Sequence, residues 1–297
     1  MSLKPVVSIV TPSLNMARYL PETIESVLSQ DYPHIEYQIL DGGSIDGTQQ
    51  ILERYAGRVR YRTAPDSGPA DAIFRGLAEA RGEFVTWLNA DDTYEPRAIQ
   101  TAVSYLLDHP EVDVVYGQGY WMDQGGKRIR AYPSIPFDPD VLAKDCFICQ
   151  PASLIRCSAY RQCELDPSVA ISFDYDLWIR MAKRGFRFAF LSGFQANSRV
   201  HRESLSLRDR GRVFEDSMAL LKRHYGYVPL SWVFGYAAFR ADGRDQFLDP
   251  LQPSIQKYLA SLPMGFRYNP EHKFRYFCEW TSTAVRGVGR RLLGHRD

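Results

Sequence analysis

Short apolar runs alternate with amphipathic stretches over the first 120 residues, and this alternation constrains the fold more than any other feature. Residues 6–10, 37–40, 59–63, 84–88 and 112–116 have the length and composition of buried strands. Between them, residues 18–30, 48–55, 70–81 and 97–107 carry apolar side chains at helical spacing, as in Leu20, Ile24, Val27 and Leu28. Pro96 suits the opening of the last of these helices. The repetition predicts an α/β fold with a mainly parallel central sheet, right-handed crossovers and helices on both faces.

Beyond residue 116 the pattern loosens. Residues 120–123 and 128–132 flank Gln124-Gly125-Gly126 as a hairpin, and Pro133, Pro136 and Pro139 mark a loop. Residues 173–184 read as a helix, 186–190 and 197–200 as strands, and 207–224 as a long charged helix. The α/β core is expected to end near residue 225, followed by a helical extension over 226–297.

The chain has 297 residues, 45% hydrophobic and 24% charged, as expected of a soluble globular protein. No run approaches the roughly 20 apolar residues of a membrane span. Residues 1–10 lack a charged segment followed by a long apolar one, so no signal peptide is expected. Cys146, Cys149, Cys157 and Cys163 cluster without a second pair at zinc-ribbon spacing, and with Cys278 they are expected to be ordinary thiols in a reducing compartment. The net charge of +1 hides an asymmetry, because residues 1–120 sum to −8 and the remainder to +9. The first part could hold a cation and the second could face an anionic ligand or surface. Nucleic-acid binding is not expected, since no compact basic motif is present.

Ligands of open parallel sheets bind at the carboxyl ends of the strands. Those ends carry Thr11 to Asn15, Asp41 to Thr48, Asp66 to Gly68, and Asn89-Ala90-Asp91-Asp92. Asp41 and Asp46-Gly47 also read as turns. Adjacent Asp91 and Asp92 repel unless a positive group lies near, and hard divalent cations favour such oxygens; helix capping is the plainer reading. The Gly-rich dinucleotide fingerprint, the P-loop and the nucleophile elbow are all absent.

Four stretches, in this order and spacing, resemble a family 2 inverting glycosyltransferase of the GT-A (Rossmann-like nucleotide-diphospho-sugar transferase) fold: Val7 to Asn15, Asp41 to Thr48, Trp87 to Asp92, and Asp174 to Arg180. The resemblance covers about residues 5–225 and implies a nucleotide-sugar and metal half over 1–118 and an acceptor half over 119–225. It implies that Thr11, Pro12 and Asp41 hold the nucleotide base, with Asp66 by the ribose and Asp71 lining the same pocket. Asn89, Ala90, Asp91 and Asp92 stand at the family's Asp-x-Asp metal motif. Asn89 replaces the first Asp, which places a Mn²⁺ or Mg²⁺ ion on Asp91, supported by Asp92.

Asp174 opens a helix, where a carboxylate is favoured by the dipole in any case; the resemblance makes it the general base. Asp176 points about 200° away around the helix, which suits a structural role, with Arg180 in pairing distance. His201 reads equally as structural or as part of the metal shell, and Gln150 and Asp176 lie on the acceptor side. The implied reaction moves a sugar, with inversion, from a nucleotide-diphospho-sugar (uridine being the expected base) to a saccharide or lipid-linked saccharide, in surface polysaccharide or glycoconjugate synthesis. A nucleotidyltransferase and a non-catalytic sugar-nucleotide-binding protein are the alternatives.

In residues 267–297, Phe274, Phe277, Cys278, Val285, Val288 and Leu292 fall on one helical face and Arg275, Arg286 and Arg290 fall opposite, although Gly287 and Gly289 weaken the helix. Such a helix either packs on the core or meets an anionic membrane surface. The expected location is cytoplasmic, with peripheral contact at the inner face of the membrane as the further expectation.

Overall fold

The computed structural model describes residues 5–243 and 254–292, with side chains of the last helix described as far as residue 285. The chain runs β1 (Val7–Ser13), α1 (Leu20–Leu28), β2 (Ile35–Asp41), α2 (Thr48–Arg54), β3 (Arg60–Thr63), α3 (Pro69–Ala78), β4 (Phe84–Trp87), β5 (Thr93–Tyr94), α4 (Ala98–Asp108) and β6 (Val114–Met122). It continues through β7 (Arg128–Ala131), α5 (Pro139–Leu142), a 3-10 turn (Gln150–Ala152), β8 (Ser153–Arg156), α6 (Cys157–Gln162), α7 (Phe173–Lys183) and β9 (Phe188–Arg199). Five helices follow: α8 (Leu205–Arg208), α9 (Arg210–Tyr225), α10 (Leu230–Asp242), α11 (Ile255–Tyr268) and α12 (Lys273–Leu292).

One sheet carries the strands in the order β3-β2-β1-β4-β8-β6-β9-β5, with β7 paired to β6. The first four are parallel, and their register aligns Val7 with Ile35 and Phe84, Ser13 with Asp41, and Asp41 with Thr63. β1 is buried along its whole length, as a central strand covered on both faces must be. β3 is the exposed edge, where Arg60 and Arg62 pair with Glu36 and Glu79. Charge of this kind protects an edge from further pairing.

The fold departs from the sequence expectation in several places. β8 inserts antiparallel between β4 and β6, so the strand after α4 does not lie next to β4. Its four residues are too few for a periodicity signal. β9 is one strand rather than two; register shifts of β6 beside Gly117, Gln118 and Gly119 absorb the polar interruption at Ser192 and Gly193. α4 starts at Ala98 rather than beside Pro96, because Arg97 adopts a φ of 65° and redirects the chain.

α7 is held against β4 by aromatic packing. The Trp178 and Trp87 rings stack with centroids 6.1 Å apart, and Phe173 lies 6.3 Å from Trp87. Burying such side chains contributes at most about 2–3 kcal/mol each. This packing fixes the first turn of α7 relative to the end of β4.

The chain forms two compact units, residues 1–139 with 146–204 and residues 140–145 with 205–297. The first contains the sheet. The second is helical, and α9 belongs to it: Phe214 and Met218 form its core with Val228, Val233, Tyr236 and Tyr276. Buried Asn269 ties the start of α10 to α11, with Oδ1 accepting from Val228 N at 2.8 Å and Nδ2 donating to Val228 O at 2.9 Å and Gly265 O at 3.1 Å. Gly265 must be glycine, since a Cβ there would lie 1.9 Å from Cζ of Tyr276.

Candidate active site

The register that aligns Ser13, Asp41 and Thr63 brings the loops after β1, β2 and β3 to one rim of the sheet. The first two loops are cross-linked. Asp41 is buried; its Oδ2 accepts from Ser44 N at 3.1 Å and its Oδ1 from the Ser44 hydroxyl. Ser44 Oγ in turn accepts from Asn15 N at 2.7 Å, and Asn15 Oδ1 accepts from Ile45 N at 2.9 Å. Asn15 holds a φ of 54°, a left-handed conformation that asparagine tolerates better than most residues. Asp46 accepts from Ala17 N at 2.9 Å, Thr48 N at 3.0 Å and Thr48 Oγ1 at 2.6 Å. Burial opposes ionisation of Asp46, but these donors outweigh it and lower its pKa.

Thr11 and Pro12 lie inside β1, and the Thr11 hydroxyl is 3.0 Å from that of Tyr37. Asp66 Oδ1 accepts from Gly68 N at 2.9 Å, and its carboxylate packs where a Cβ on Gly42 would come within 2.9 Å of Oδ2. Gly42 therefore admits Asp66 to the rim beside Asp41. Asp71 accepts from Ser67 N at 3.0 Å and pairs with Arg75 at 2.7 Å, which shapes the loop after β3. Ser13 Oγ, at the tip of β1, is buried and has no hydrogen-bond partner among the described residues.

Residues 89–92 form a turn past β4. Asp92 N donates to Asn89 O at 3.1 Å, and Asn89 Nδ2 donates to Asp92 Oδ2 at 3.1 Å. The Thr23 hydroxyl of α1 lies 2.9 Å from Ala90 O and 2.8 Å from Asp92 O. Asp92 Oδ1 accepts from Arg199 N at 2.8 Å, so both Asp92 oxygens face protein donors. Burial, then the Asp91 charge, pushes the Asp92 pKa well up. Asp91 is turned the other way: its Oδ2 lies 2.9 Å from Nε2 of His201.

The Arg199 side chain, 1% exposed, braces this turn. Its Nε donates to Asp91 O at 2.7 Å, Nη1 to Asp123 O at 3.2 Å and Nη2 to Glu22 Oε2 at 2.6 Å. Tyr19 packs beneath both groups, with its ring centroid 5.0 Å from the Arg199 guanidinium carbon and 4.6 Å from the His201 ring. His201 Nδ1 is buried without a partner among the described residues.

The other wall comes from the turn at 150 and from α7. Gln150 Nε2 donates to Trp87 O at 2.9 Å, while its Oε1 is buried without a partner among the described residues. Asp174 sits in the first turn of α7, and its Oδ1 accepts from Tyr175 N at 2.7 Å. Desolvation nonetheless raises its pKa to about 6. Asp176 is buried and bound to Arg180 Nε at 2.6 Å, which gives it a structural partner. The thiol pKa of buried Cys149, next to Gln150, is raised by burial and then by the charges of Asp92 and Asp174.

Among the described residues no three His, Cys, Asp or Glu side chains converge as a metal cage. Asp91 and His201 do meet, and one carboxylate oxygen with one imidazole nitrogen 2.9 Å apart suits neighbouring positions on a small divalent ion. Such ions take few protein ligands and fill the rest with phosphate oxygens and water. The donor set therefore fits Mn²⁺ or Mg²⁺.

Sequence reasoning overlooked Thr23, Glu22, Tyr19 and Arg199. Only Arg199 carried a signal, as a basic residue at a strand end two positions before His201.

Residues 8–163 match the family model described as Glycosyl transferase family 2. EpsE of Bacillus subtilis (strain 168), named as a glycosyltransferase, is 30% identical over 249 residues, covering 81% of this chain and 84% of that protein. TuaG of the same organism, named as a glycosyltransferase of teichuronic acid biosynthesis, is 28% identical over 211 residues, covering 68% of this chain and 82% of that protein. Among solved structures, S. aureus TarS 1-349 in complex with UDP-GlcNAc superposes with a TM-score of 0.61 at 17% identity, covering 90% of this chain and 82% of that one. A mannosyltransferase from Pyrobaculum calidifontis, in complex with GDP-Man and Mn²⁺, gives 0.55 at 17% identity, covering 99% and 82%. These structural likenesses bear out the GT-A-like fold. The family match and the EpsE relative go further, and the chain belongs to glycosyl transferase family 2 and is a glycosyltransferase.

Proposed function

We propose that this enzyme moves a sugar from a nucleoside-diphospho-sugar, with uridine as the base, to a hydroxyl of a saccharide or lipid-linked saccharide, inverting the anomeric centre with help from a divalent cation. The product belongs to a surface polysaccharide or glycoconjugate. The observation that carries the reading is the pairing of Asp91 with His201 just past β4, together with Asp174, a carboxyl raised to a pKa of about 6, which follows Phe173, whose ring packs 6.3 Å from Trp87 at the end of that same strand. The names of TuaG and of a chondroitin synthase relative favour polysaccharide as the product, and the UDP-GlcNAc complex of TarS favours a uridine donor.

The nucleotide rests on the cross-linked loops after β1 and β2, with Thr11, Pro12, Asp41, Asp66 and Asp71 around it and Asn89 and Ala90 below the phosphates. These loops already bond to one another, so little ordering is needed when the donor binds. Asp91 and His201 would hold the cation, and Asp92 fixes the turn through Arg199 N and Asn89. The cation would offset the negative charge that develops on the departing diphosphate. Asp174 accepts the proton of the acceptor hydroxyl as that oxygen attacks the anomeric carbon from the face opposite the diphosphate. One C–O bond forms, the donor C–O bond breaks, and the nucleoside diphosphate leaves with the electron pair. Gln150 and Asp176 complete the acceptor side, Asp176 by holding Arg180.

The test is calorimetric titration with a panel of sugar nucleotides, with and without Mn²⁺, followed by turnover and NMR assignment of the product anomer. Metal-dependent uridine-donor binding with an inverted product is expected. Retention of configuration, or binding without turnover on any acceptor, would refute the reading.

A further inference from the structure

The helical unit displays large apolar side chains that its own packing leaves uncovered. On α12, Phe274 is 81% and Val285 71% exposed, and Phe277 is also exposed; on α11, Ile255 is 76% exposed and Leu259 is exposed too. These are not residues left over from a poorly formed pair of helices. The inner faces are closed by Tyr276 against Gly265, by the Tyr276 hydroxyl donating to Ser261 O at 3.0 Å, and by the stacked rings of Tyr258 and Trp280.

On an ideal helix Phe274, Cys278 and Val285 lie within about 40° of one another, with Phe277 at the margin. Cys278 is itself exposed. Phe274 and Val285 are about 16 Å apart along the axis. On α11, Ile255 and Leu259 are one turn apart on the outer face. Four of the anticipated face and flank residues, Arg286, Val288, Arg290 and Leu292, have side chains outside the described residues.

The charge around these side chains is mainly positive. Residues 255–292 contain seven Lys and Arg against two Glu. Arg267, Lys273 and Arg275 are exposed. Glu279 is turned inward, accepting from Leu230 N at 3.1 Å and from the Tyr227 hydroxyl. Glu271, in the turn between the two helices, is the other acid.

We propose that the outer faces of α11 and α12 dock on the surface of an anionic lipid bilayer, with Phe274, Phe277 and Val285 entering the headgroup boundary and the neighbouring basic side chains meeting lipid phosphates. Exposed aromatic and aliphatic residues beside basic ones fit that interface. A second copy of the chain is a poorer occupant, because a two-fold contact through this face would set its positive charges against themselves. Among the described residues no helix is long and apolar enough to cross a membrane, so the contact lies on the surface. The proposal stands independently of the reaction, to which it adds a location for a lipid-linked acceptor.

The experiment is flotation of the full-length protein with vesicles of phosphatidylcholine alone and of about three parts phosphatidylcholine to one of phosphatidylglycerol. Binding to the anionic vesicles, weakened by salt, is expected. Phe274→Ser/Phe277→Ser/Val285→Ser should lower vesicle affinity by at least about tenfold. Arg267→Gln/Lys273→Gln should lower it and flatten its salt dependence. Both variants should keep the donor titration and a melting curve close to wild type, since these side chains lie outside the buried cores and only Phe277 touches one, through the Trp280 ring. Absence of flotation, equal flotation of the triple variant, or a wild-type dimer that the triple variant converts to monomer in light scattering would overturn the proposal. Turnover on a water-soluble acceptor is measured separately, so failure of docking leaves the transferase reading intact.

Discussion

Nε2 of His201 lies 2.9 Å from Oδ2 of Asp91, although the two residues are 110 positions apart in sequence. Neither atom belongs to a hydrophobic cluster, and the partner Asp92 faces away into N–H donors. Asp91 and Asp92, adjacent in one turn, thus face different partners. Asp91→Ala and His201→Ala are each expected to lower metal-dependent kcat/KM by at least about a hundredfold and to weaken donor binding in Mn²⁺. Titrating Mn²⁺ against activity checks this; wild-type turnover of either variant in the presence of a chelator would remove both residues from the metal site.

Asp174 should behave differently. Asp174→Asn is expected to leave donor Kd within about threefold while lowering kcat by roughly 100–10,000-fold, the range for loss of a general base. For the wild type, Asp174 must be unprotonated to accept the hydroxyl proton. The rate should therefore fall about tenfold per pH unit once pH drops below the Asp174 pKa of about 6. A profile flat from pH 7 to about 4.5 would exclude Asp174 as the base.

The same carboxyl has a stability consequence of opposite sense. Its folded pKa of about 6 exceeds the ordinary 3.8, so the charged form burdens the folded state above pH 6. That burden fades as pH falls and is absent below the unfolded value. Asp174→Asn is accordingly expected to be more stable than wild type at pH 7, by on the order of 1–3 kcal/mol, with the advantage gone near pH 4. Urea denaturation at the two pH values measures it.

Arg199→Met removes a buried cation from four partners: Asp91 O, Asp123 O, Glu22 and the Tyr19 ring. Two carbonyls lose their donor in a closed space, so a loss of about 3–5 kcal/mol is expected. Arg199→Lys should recover only part of it, since one ammonium cannot reproduce the guanidinium fork. Thermal melting of the three proteins gives the order.

Gly265→Ala would place a Cβ 1.9 Å from Cζ of Tyr276, whose ring is fully buried. A cost of about 1–3 kcal/mol is expected, from the forced shift of α12 against α11. The double variant Gly265→Ala/Tyr276→Leu should recover part of that cost in the same melts.

Much of the first half was legible because each strand there is short, apolar and followed by a polar loop. Val7 to Val10 and Phe84 to Trp87 declare themselves in this way, as do the loops at Asp41 and Asp91, whereas the run of β1 on through Thr11, Pro12 and Ser13 comes from its pairing with β2 and not from its own composition. β8 was not legible: Ser153 to Arg156 is four residues long and owes its place to two neighbouring strands rather than to its own pattern. The brace on the 89–92 turn was hidden for a related reason. Thr23 lies on an ordinary helical face and Arg199 in a strand; their worth comes from carbonyls that reach them only in the folded chain. His201 read equally well as a structural residue, because nothing within a few positions of it shows that Asp91 is its partner.

Residues 89–92 are made early and their counterparts at 199–201 more than a hundred residues later, joined through β6 and β9. A ribosome that has released only the first half has exposed the nucleotide loops and a turn with two carboxylates, yet no imidazole and no guanidinium to face them. A chain truncated ahead of Arg199 lacks both the guanidinium that braces residues 89–92 and the imidazole that meets Asp91.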